Sequence, residues 1–311
     1  MNILTCTDSR FVIPTGVMLY SVCKNNSSCN LNIFIIIDNS VTEKQKDELK
    51  SELCKFSNVK IEFLKVDVSD IQQYLIVKFE FFPVSIYYRL FLTDILPKEV
   101  DKILYLDGDI IVRHNLSELW ETDIDKYAVG AVVNQSNSSK YWERLGYPKE
   151  NGYFNSGVLL INTKYWREHN LKERFLKYIV ENPQKLLYPD QDVLNFILKD
   201  EKKFLSVRYN VQEGFFRIER EQVDLINDEE VKLAVSAPYI IHSTYLKPWF
   251  RENRHPLCYI YYQYKKQTRW KNDKTKEDEH MSILSFSVWY IKHLINVVLG
   301  KEKKIYQNVK I

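Results

Sequence analysis

The chain has 311 residues, 45% hydrophobic and 14% aromatic, which is enough to bury a substantial core in one large domain or a domain with an appendage and excludes a disordered chain. A formal net charge of only +3 excludes nucleic acid as a global partner. Five cysteines (Cys6, Cys23, Cys29, Cys54 and Cys258), odd in number and without a Cys-x-x-Cys pair, exclude a disulfide framework or zinc site and point to reduced thiols in the cytosol.

The first residues, Met1 to Asp8, carry no basic region and no long apolar core, so they read as the start of the fold and not as a signal peptide. Ile3 to Cys6 is a strand ending in the polar loop Thr7 to Arg10, and a helix follows from about Ile13 to Cys23. Leu31 to Ile37 is a second strand ending at Asp38. Thr42 to Phe56 is helical, with Thr42 and Gln45 spaced as a capping box. Val59 to Val66 is a third strand. This alternation predicts an α/β fold with a parallel, doubly wound sheet. No GxGxxG follows the first strand and no Walker lysine loop occurs, so dinucleotide and P-loop chemistry are excluded. Ser85 to Leu96 reads as an amphipathic helix carrying Arg89, which either meets an anion or snorkels along the surface.

Next comes Lys102 to Val112, read as one buried strand interrupted by Asp107-Gly108-Asp109. Residues i and i+2 of an extended chain share a face, so the two carboxylates would be presented together. Like charges so close need a partner, and a hard divalent cation is the simplest one. The alternative is a turn after a strand, which the prompt return of apolar residues argues against. Ligands of such sheets bind beyond the carboxyl ends of the strands, which puts Asp8, Asp38, Asp107 and Asp109 on one rim. Asp8 reads equally as a cap of the following helix.

Tyr127 to Val133 is a further strand leading into the polar segment from Asn134 to Lys140. Asn155, between small residues, precedes the apolar run Val158 to Ile161, and a helix spans Tyr165 to about Glu181. Pro189 opens another helix whose first turn holds Asp190, Gln191 and Asp192, more polar groups than capping requires. Ala237 to His242 is a strand ending in a histidine, a structural residue unless the aspartate pair takes a third ligand.

Tyr105 to Val112, Tyr153 to Asn162, Pro189 to Asn195, and His242 with Lys247-Pro248-Trp249, in that order, resemble glycosyltransferase family 8 over roughly residues 1 to 250. Within it, the chain most resembles the bacterial α-galactosyl- and α-glucosyltransferases that extend lipopolysaccharide or capsule-type glycans. The resemblance implies a GT-A fold, a UDP-galactose or UDP-glucose donor, a Mn²⁺ or Mg²⁺ ion and retention of anomeric configuration. It makes Asp107, Asp109 and His242 the metal ligands and sets Asp8 at the uracil and ribose. Arg89, Asn155, Asp190 and Gln191 would line the donor sugar, with Lys247 at the diphosphate. Gln191 would stand beside the anomeric carbon, stabilising an oxocarbenium-like centre during front-face attack, while Asp190 fixes sugar hydroxyls. Three positions depart from the family pattern. Lys247 follows His242 by five residues with no glycine between them, Asn134 replaces a common aspartate, and Arg10 replaces a small or polar residue.

Residues 251–311 form a separate basic and aromatic tail. Tyr259 to Tyr264 is aromatic and Lys265 to Lys271 basic. An apolar stretch from Ile283 to Leu299 is broken by Lys292 and His293 and followed by Lys301, Lys303 and Lys304. The interruption excludes a membrane span, and the pattern suits a helix lying on an anionic membrane surface. The chain is therefore expected to be cytoplasmic, held peripherally at the inner face of the plasma membrane, with a glycan or lipid-linked glycan as acceptor. A relative that binds nucleotide sugars or glycans without turnover is the alternative, and the intact aspartate pair argues against it.

Overall fold

The structure, a computed structural model, describes residues 1–66, 84–136, 141–217, 223, 225–250, 253, 257–273 and 283–299. Lys301, Lys303, Lys304 and residues 137–140 of the polar segment lie outside them. The first three strands are β1 (Asn2–Thr7), β2 (Leu31–Ile37) and β3 (Val59–Lys65), followed by β4 (Lys102–Leu106), β5 (Ile110–Val112), β6 (Val129–Val133), β7 (Phe154–Asn162) and β8 (Lys202–Phe204). Seven of these make one sheet in the order β3-β2-β1-β4-β7-β6-β8. β1 to β4 are mutually parallel, β6 and β8 are parallel, and only β7 runs against its neighbours. The expected α/β, mostly parallel sheet is therefore present.

Side chains alternate across this sheet. Ile3, Ile33, Ile35, Leu104 and Leu160 face one core, beneath the helices Val12–Asn25 and Glu43–Leu53. Leu4, Phe34, Ile36, Tyr105 and Leu159 face the other, beneath the helices Leu171–Glu181 and Pro189–Ile197. Both capping-box bonds at Thr42 and Gln45 form as the spacing predicts.

Several elements differ from the sequence reading. Lys102 to Val112 is not one strand. It turns at Asp107-Gly108-Asp109, and β5 joins a second sheet, pairing with β10 (Ile240–His242), which in turn pairs with β9 (Val211–Gln212). Both halves are apolar because both are buried, and pattern alone cannot show that they belong to different sheets. The expected helix from Ser85 is a 3-10 helix, Val84–Phe91, running into the short α-helix Leu92–Ile95. The expected helix from Tyr165 is two, Thr163–Glu168 and Leu171–Glu181, broken where Asn170 adopts a left-handed φ of 49°, a conformation asparagine tolerates.

The core also takes in residues beyond 250. Leu257, Ile260, Tyr261 and Trp270 are buried in the first core together with Trp249. The Trp270 ring packs against Gly16, where a Cβ would come within 2.3 Å of it. Only glycine permits that approach. Trp270→Ala is expected to lower unfolding stability by about 3–5 kcal/mol, read as a lower urea midpoint at unchanged slope. A loss below about 1 kcal/mol would show that residues 257–273 are not integral to the core.

Candidate active site

The turn between β4 and β5 delivers two carboxylates because each flank is pinned. Asp107 N–H donates to the Gly157 carbonyl at 2.9 Å, extending the β4–β7 ladder, and β5 pairs with β10 so that His242 lies opposite Ile110. Ser243 N–H then donates to the Asp109 carbonyl at 3.2 Å. Gly157 clears the space. A Cβ there would lie 2.1 Å from His242 Cε1 and 2.7 Å from Asp107 Oδ2. His242 Nε2 stands 3.3 Å from Asp109 Oδ1 and 3.8 Å from Asp107 Oδ2.

Arg89 is buried and answers two carboxylates. Its Nη2 donates to Asp107 Oδ1 at 2.8 Å and its Nε is 3.3 Å from Asp190 Oδ2, while Nη1 donates to the Ser156 carbonyl at 2.8 Å. The guanidinium stacks on Tyr105 at 4.3 Å, and the Tyr105 hydroxyl donates to Asp107 Oδ1 at 2.7 Å. The anion expected opposite Arg89 is thus supplied in part by the protein itself. Burial alone would lower the Arg89 pKa, but Asp107 and Asp190 outweigh it and raise it. Lys247 Nζ donates to Asp109 Oδ2 and, at 2.9 Å, to the Ser243 carbonyl. Burial pushes the Asp109 carboxyl up, yet the Lys247 charge, with His242 beside it, prevails and holds it well below the usual carboxylate range.

All nine predicted site residues line one cavity of about 380 Å³: Asp8, Arg89, Asp107, Asp109, Asn155, Asp190, Gln191, His242 and Lys247. Asp8 does not cap the helix Val12–Asn25, which has no side-chain cap; its Oδ1 accepts from the backbone N–H of Arg10 and Phe11, in the turn before that helix, at 2.8 and 3.2 Å. Asp38 is not among the lining residues and accepts from the Tyr88 hydroxyl at 3.4 Å. Asn134 is likewise outside the lining, and the mostly exposed Arg10 side chain pairs with Asp8 at 3.1 Å.

Sequence reasoning assigned no role to Asn210, Tyr153 or Arg144, and named Asp192 only as part of a helix start. Asp192 is fully buried and accepts from both Arg144 Nη1 and Nη2 at 2.9 Å, the Tyr153 hydroxyl at 2.8 Å, and the backbone N–H of Leu187 and Tyr188. The surplus of acids at the start of the helix Pro189–Ile197 was the available signal. Tyr153 opens the motif Tyr153 to Asn162 but carried no role there, and Asn210 gave no signal, being a neutral residue outside any motif.

Asp107, Asp109 and His242 each offer one ligand atom, and these lie within 4.8 Å of one another. Two carboxylate oxygens and an imidazole nitrogen fit a divalent ion that keeps open positions for a substrate. A mostly parallel sheet carrying an Asp-x-Asp turn at the carboxyl end of a central strand is the arrangement of a GT-A glycosyltransferase. The crystal structure of the galactosyltransferase LgtC in complex with donor and acceptor sugar analogues superposes with a TM-score of 0.78 over 86% of this chain and 96% of that one, at 24% identity.

The family model for glycosyl transferase family 8 matches residues 2–253, and the chain belongs to that family. Among its relatives, general stress protein A of Bacillus subtilis (strain 168) is 29% identical over 274 residues, covering 87% of this chain and 94% of that protein. Lipopolysaccharide 1,2-glucosyltransferase of Escherichia coli (strain K12) is 29% identical over 299 residues, 95% of this chain and 85% of that protein. Membership implies a nucleotide-sugar donor and a glycan acceptor.

Asp190 is the strained carboxylate of the site. Its Oδ2 is buried without a hydrogen bond, and burial raises its pKa, with the Arg89 charge offsetting only part. Just above the ordinary carboxylate pKa of about 4, the native state therefore holds a proton that the unfolded chain has released. Stability falls as pH rises through that window. In EDTA, Asp190→Asn is expected to gain thermal stability relative to wild type as pH is raised from about 4 to about 7. Scanning fluorimetry across that range checks this, and a pH-independent difference in Tm would refute it.

Proposed function

We propose that this protein is a retaining, metal-dependent hexosyltransferase. It moves galactose or glucose from a UDP-sugar to a hydroxyl of a glycan or lipid-linked glycan, leaving an α linkage. The observation that carries this reading is the convergence of Asp107, Asp109 and His242 on the wall of a cavity that Asp8, Asn155, Asp190, Gln191 and Lys247 also line. The lipopolysaccharide glucosyltransferase relatives support the acceptor class.

In this reading Asp107, Asp109 and His242 would hold a Mn²⁺ or Mg²⁺ ion, which would supply Lewis-acid stabilisation of charge on the donor diphosphate. Lys247 exchanges its bond to Asp109 for one to the diphosphate and so stabilises the departing UDP. Asp8 faces the uracil and ribose. Arg89 holds Asp107 and Asp190 aligned at the donor sugar. Asp190, with an oxygen that lacks a hydrogen bond, accepts from a sugar hydroxyl, and Asn155 lines the same subsite.

The Gln191 carbonyl oxygen already accepts from Ser156 N–H at 2.9 Å and Asn155 Nδ2 at 3.2 Å, which supports a role without covalent bond formation. The acceptor hydroxyl then attacks from the face the phosphate leaves, while Gln191 stabilises the oxocarbenium-like centre. Purified protein with Mn²⁺ is expected to release UDP from UDP-galactose or UDP-glucose, and not from UDP-GlcNAc or UDP-GalNAc. Asp109→Asn or EDTA should reduce the rate by about 100-fold or more. Metal-dependent UDP binding without UDP release from any donor would instead support a binding protein.

The tail belongs to the same proposal. The helix Ile283–Val298 exposes Val288, Ile291, Leu294, Ile295 and Val298 at helical spacing, with Lys292 among them. Among the described residues no helix is long and apolar enough to cross a membrane. We read this face as lying on an anionic membrane, which would hold the enzyme at the inner face of the plasma membrane beside a lipid-linked acceptor. Ile291→Glu with Ile295→Glu is expected to abolish co-sedimentation with phosphatidylserine vesicles while UDP release persists. Undiminished sedimentation of the double variant would rule out that surface.

A further inference from the structure

A buried chain of hydrogen bonds links the two ends of the cavity, and its direction can be assigned from two backbone groups. Gly157 N–H, which can only donate, is 3.0 Å from Asn155 Oδ1. That atom is therefore the amide oxygen, and the Asn210 atom 2.8 Å from it must be the donating Nδ2. Asn210 then turns its oxygen to His242 Nδ1 at 2.9 Å, so Nδ1 carries the hydrogen. At the other end Ser156 N–H donates to Gln191 Oε1, which leaves Gln191 Nε2 to donate to the Tyr153 hydroxyl at 3.1 Å. Tyr153 passes its own hydrogen to Asp192 at 2.8 Å.

Every donor therefore points the same way, from His242 through Asn210, Asn155, Gln191 and Tyr153 to a carboxylate. All six residues are buried. Aligned bonds polarise one another, and a chain ending on a buried anion has no equivalent reversed arrangement. At the start of the chain the consequence is specific. With hydrogen on Nδ1, the Nε2 lone pair is directed at Asp107 and Asp109, the orientation a metal ligand needs.

We propose that Asn210 is a positioning residue that fixes the tautomer and ring orientation of His242 and, through Asn155, holds the Gln191 amide in register with it. This rests on the metal-dependent transferase reading above. The two amide atoms of Asn210 serve different ends, so variants separate them. Asn210→Ala removes both bonds. Asn210→Asp keeps an acceptor for His242 Nδ1 but loses the donor to Asn155.

Binding of Mn²⁺ in the presence of UDP, followed by electron paramagnetic resonance, tests this without turnover. Asn210→Ala is expected to weaken Mn²⁺ binding by about 10–100-fold, whereas Asn210→Asp should bind within about threefold of wild type or tighter. Both should lower kcat for UDP release by about tenfold or more, because both release the amides at the sugar end. A structural defect alone would move affinity and turnover together in both variants.

Wild-type Mn²⁺ affinity in Asn210→Ala overturns this inference and leaves the transferase reading intact. Should that variant fail to fold, Asn210→Asp decides: affinity falling in step with kcat overturns the proposal, and affinity retained while kcat falls sustains it. Wild-type protein that binds no Mn²⁺ with UDP overturns both.

Discussion

The carboxylates of Asp107, Asp109 and Asp190 meet on the wall of one cavity that Asp8 also lines, and carboxylates brought so close must be matched by cations or protonated. The fold meets that demand with cations from two separate places. Arg89 comes from a 3-10 helix and spans Asp107 and Asp190. Lys247, from the loop after the last strand, sits on Asp109, with His242 beside it. The pairing is asymmetric. Asp109 is held firmly ionised, whereas Asp190 retains an oxygen with no hydrogen-bond partner. A site left with one unsatisfied anion is prepared for a ligand that brings hydroxyl donors.

The rest of the cavity is built on a different principle. Beyond the charged residues, Asn155, Gln191, Asn210 and Tyr153 are neutral and hold one another through directional hydrogen bonds. Ionic groups tolerate small shifts in spacing, while amides and hydroxyls fix orientation. Where a diphosphate would bind, strength matters most. Beside a sugar carbon whose substituents must be oriented, geometry matters more.

How much of this could be read from the chain depended on how local each signal was. The capping box at Thr42 and Gln45 needs only three residues of separation and forms as expected. The alternation of β1 to β3 with helices likewise announced the parallel sheet. The Asp-Gly-Asp motif was recognisable, but its reading as the interior of one strand failed. The apolar run after it is buried against residues near 240, a partner that periodicity does not reveal. Arg89 was expected to face an anion, and the anions include two aspartates of its own chain. Asn210 could not be found at all, and Tyr153 was visible only as the first residue of a motif, without a role. Their roles exist only once residues 55 and 38 positions away, Asn155 and Gln191, are folded against them.

The junction of the two sheets has a consequence for how the protein is made. The small sheet draws β5, β9 and β10 from residues 110–112, 211–212 and 240–242, so its pairings close long loops. The strands β1 to β4 all lie before residue 107 and are complete much earlier as the chain emerges from the ribosome. Non-local pairings form late because loop-closure entropy opposes them until the partners are at hand. Asp107 and Asp109 therefore spend the early part of synthesis as an acidic turn without His242 or Lys247. Only a chain extended past residue 242 can bring Asp107, Asp109 and His242 together, so the candidate ligand set forms late in synthesis.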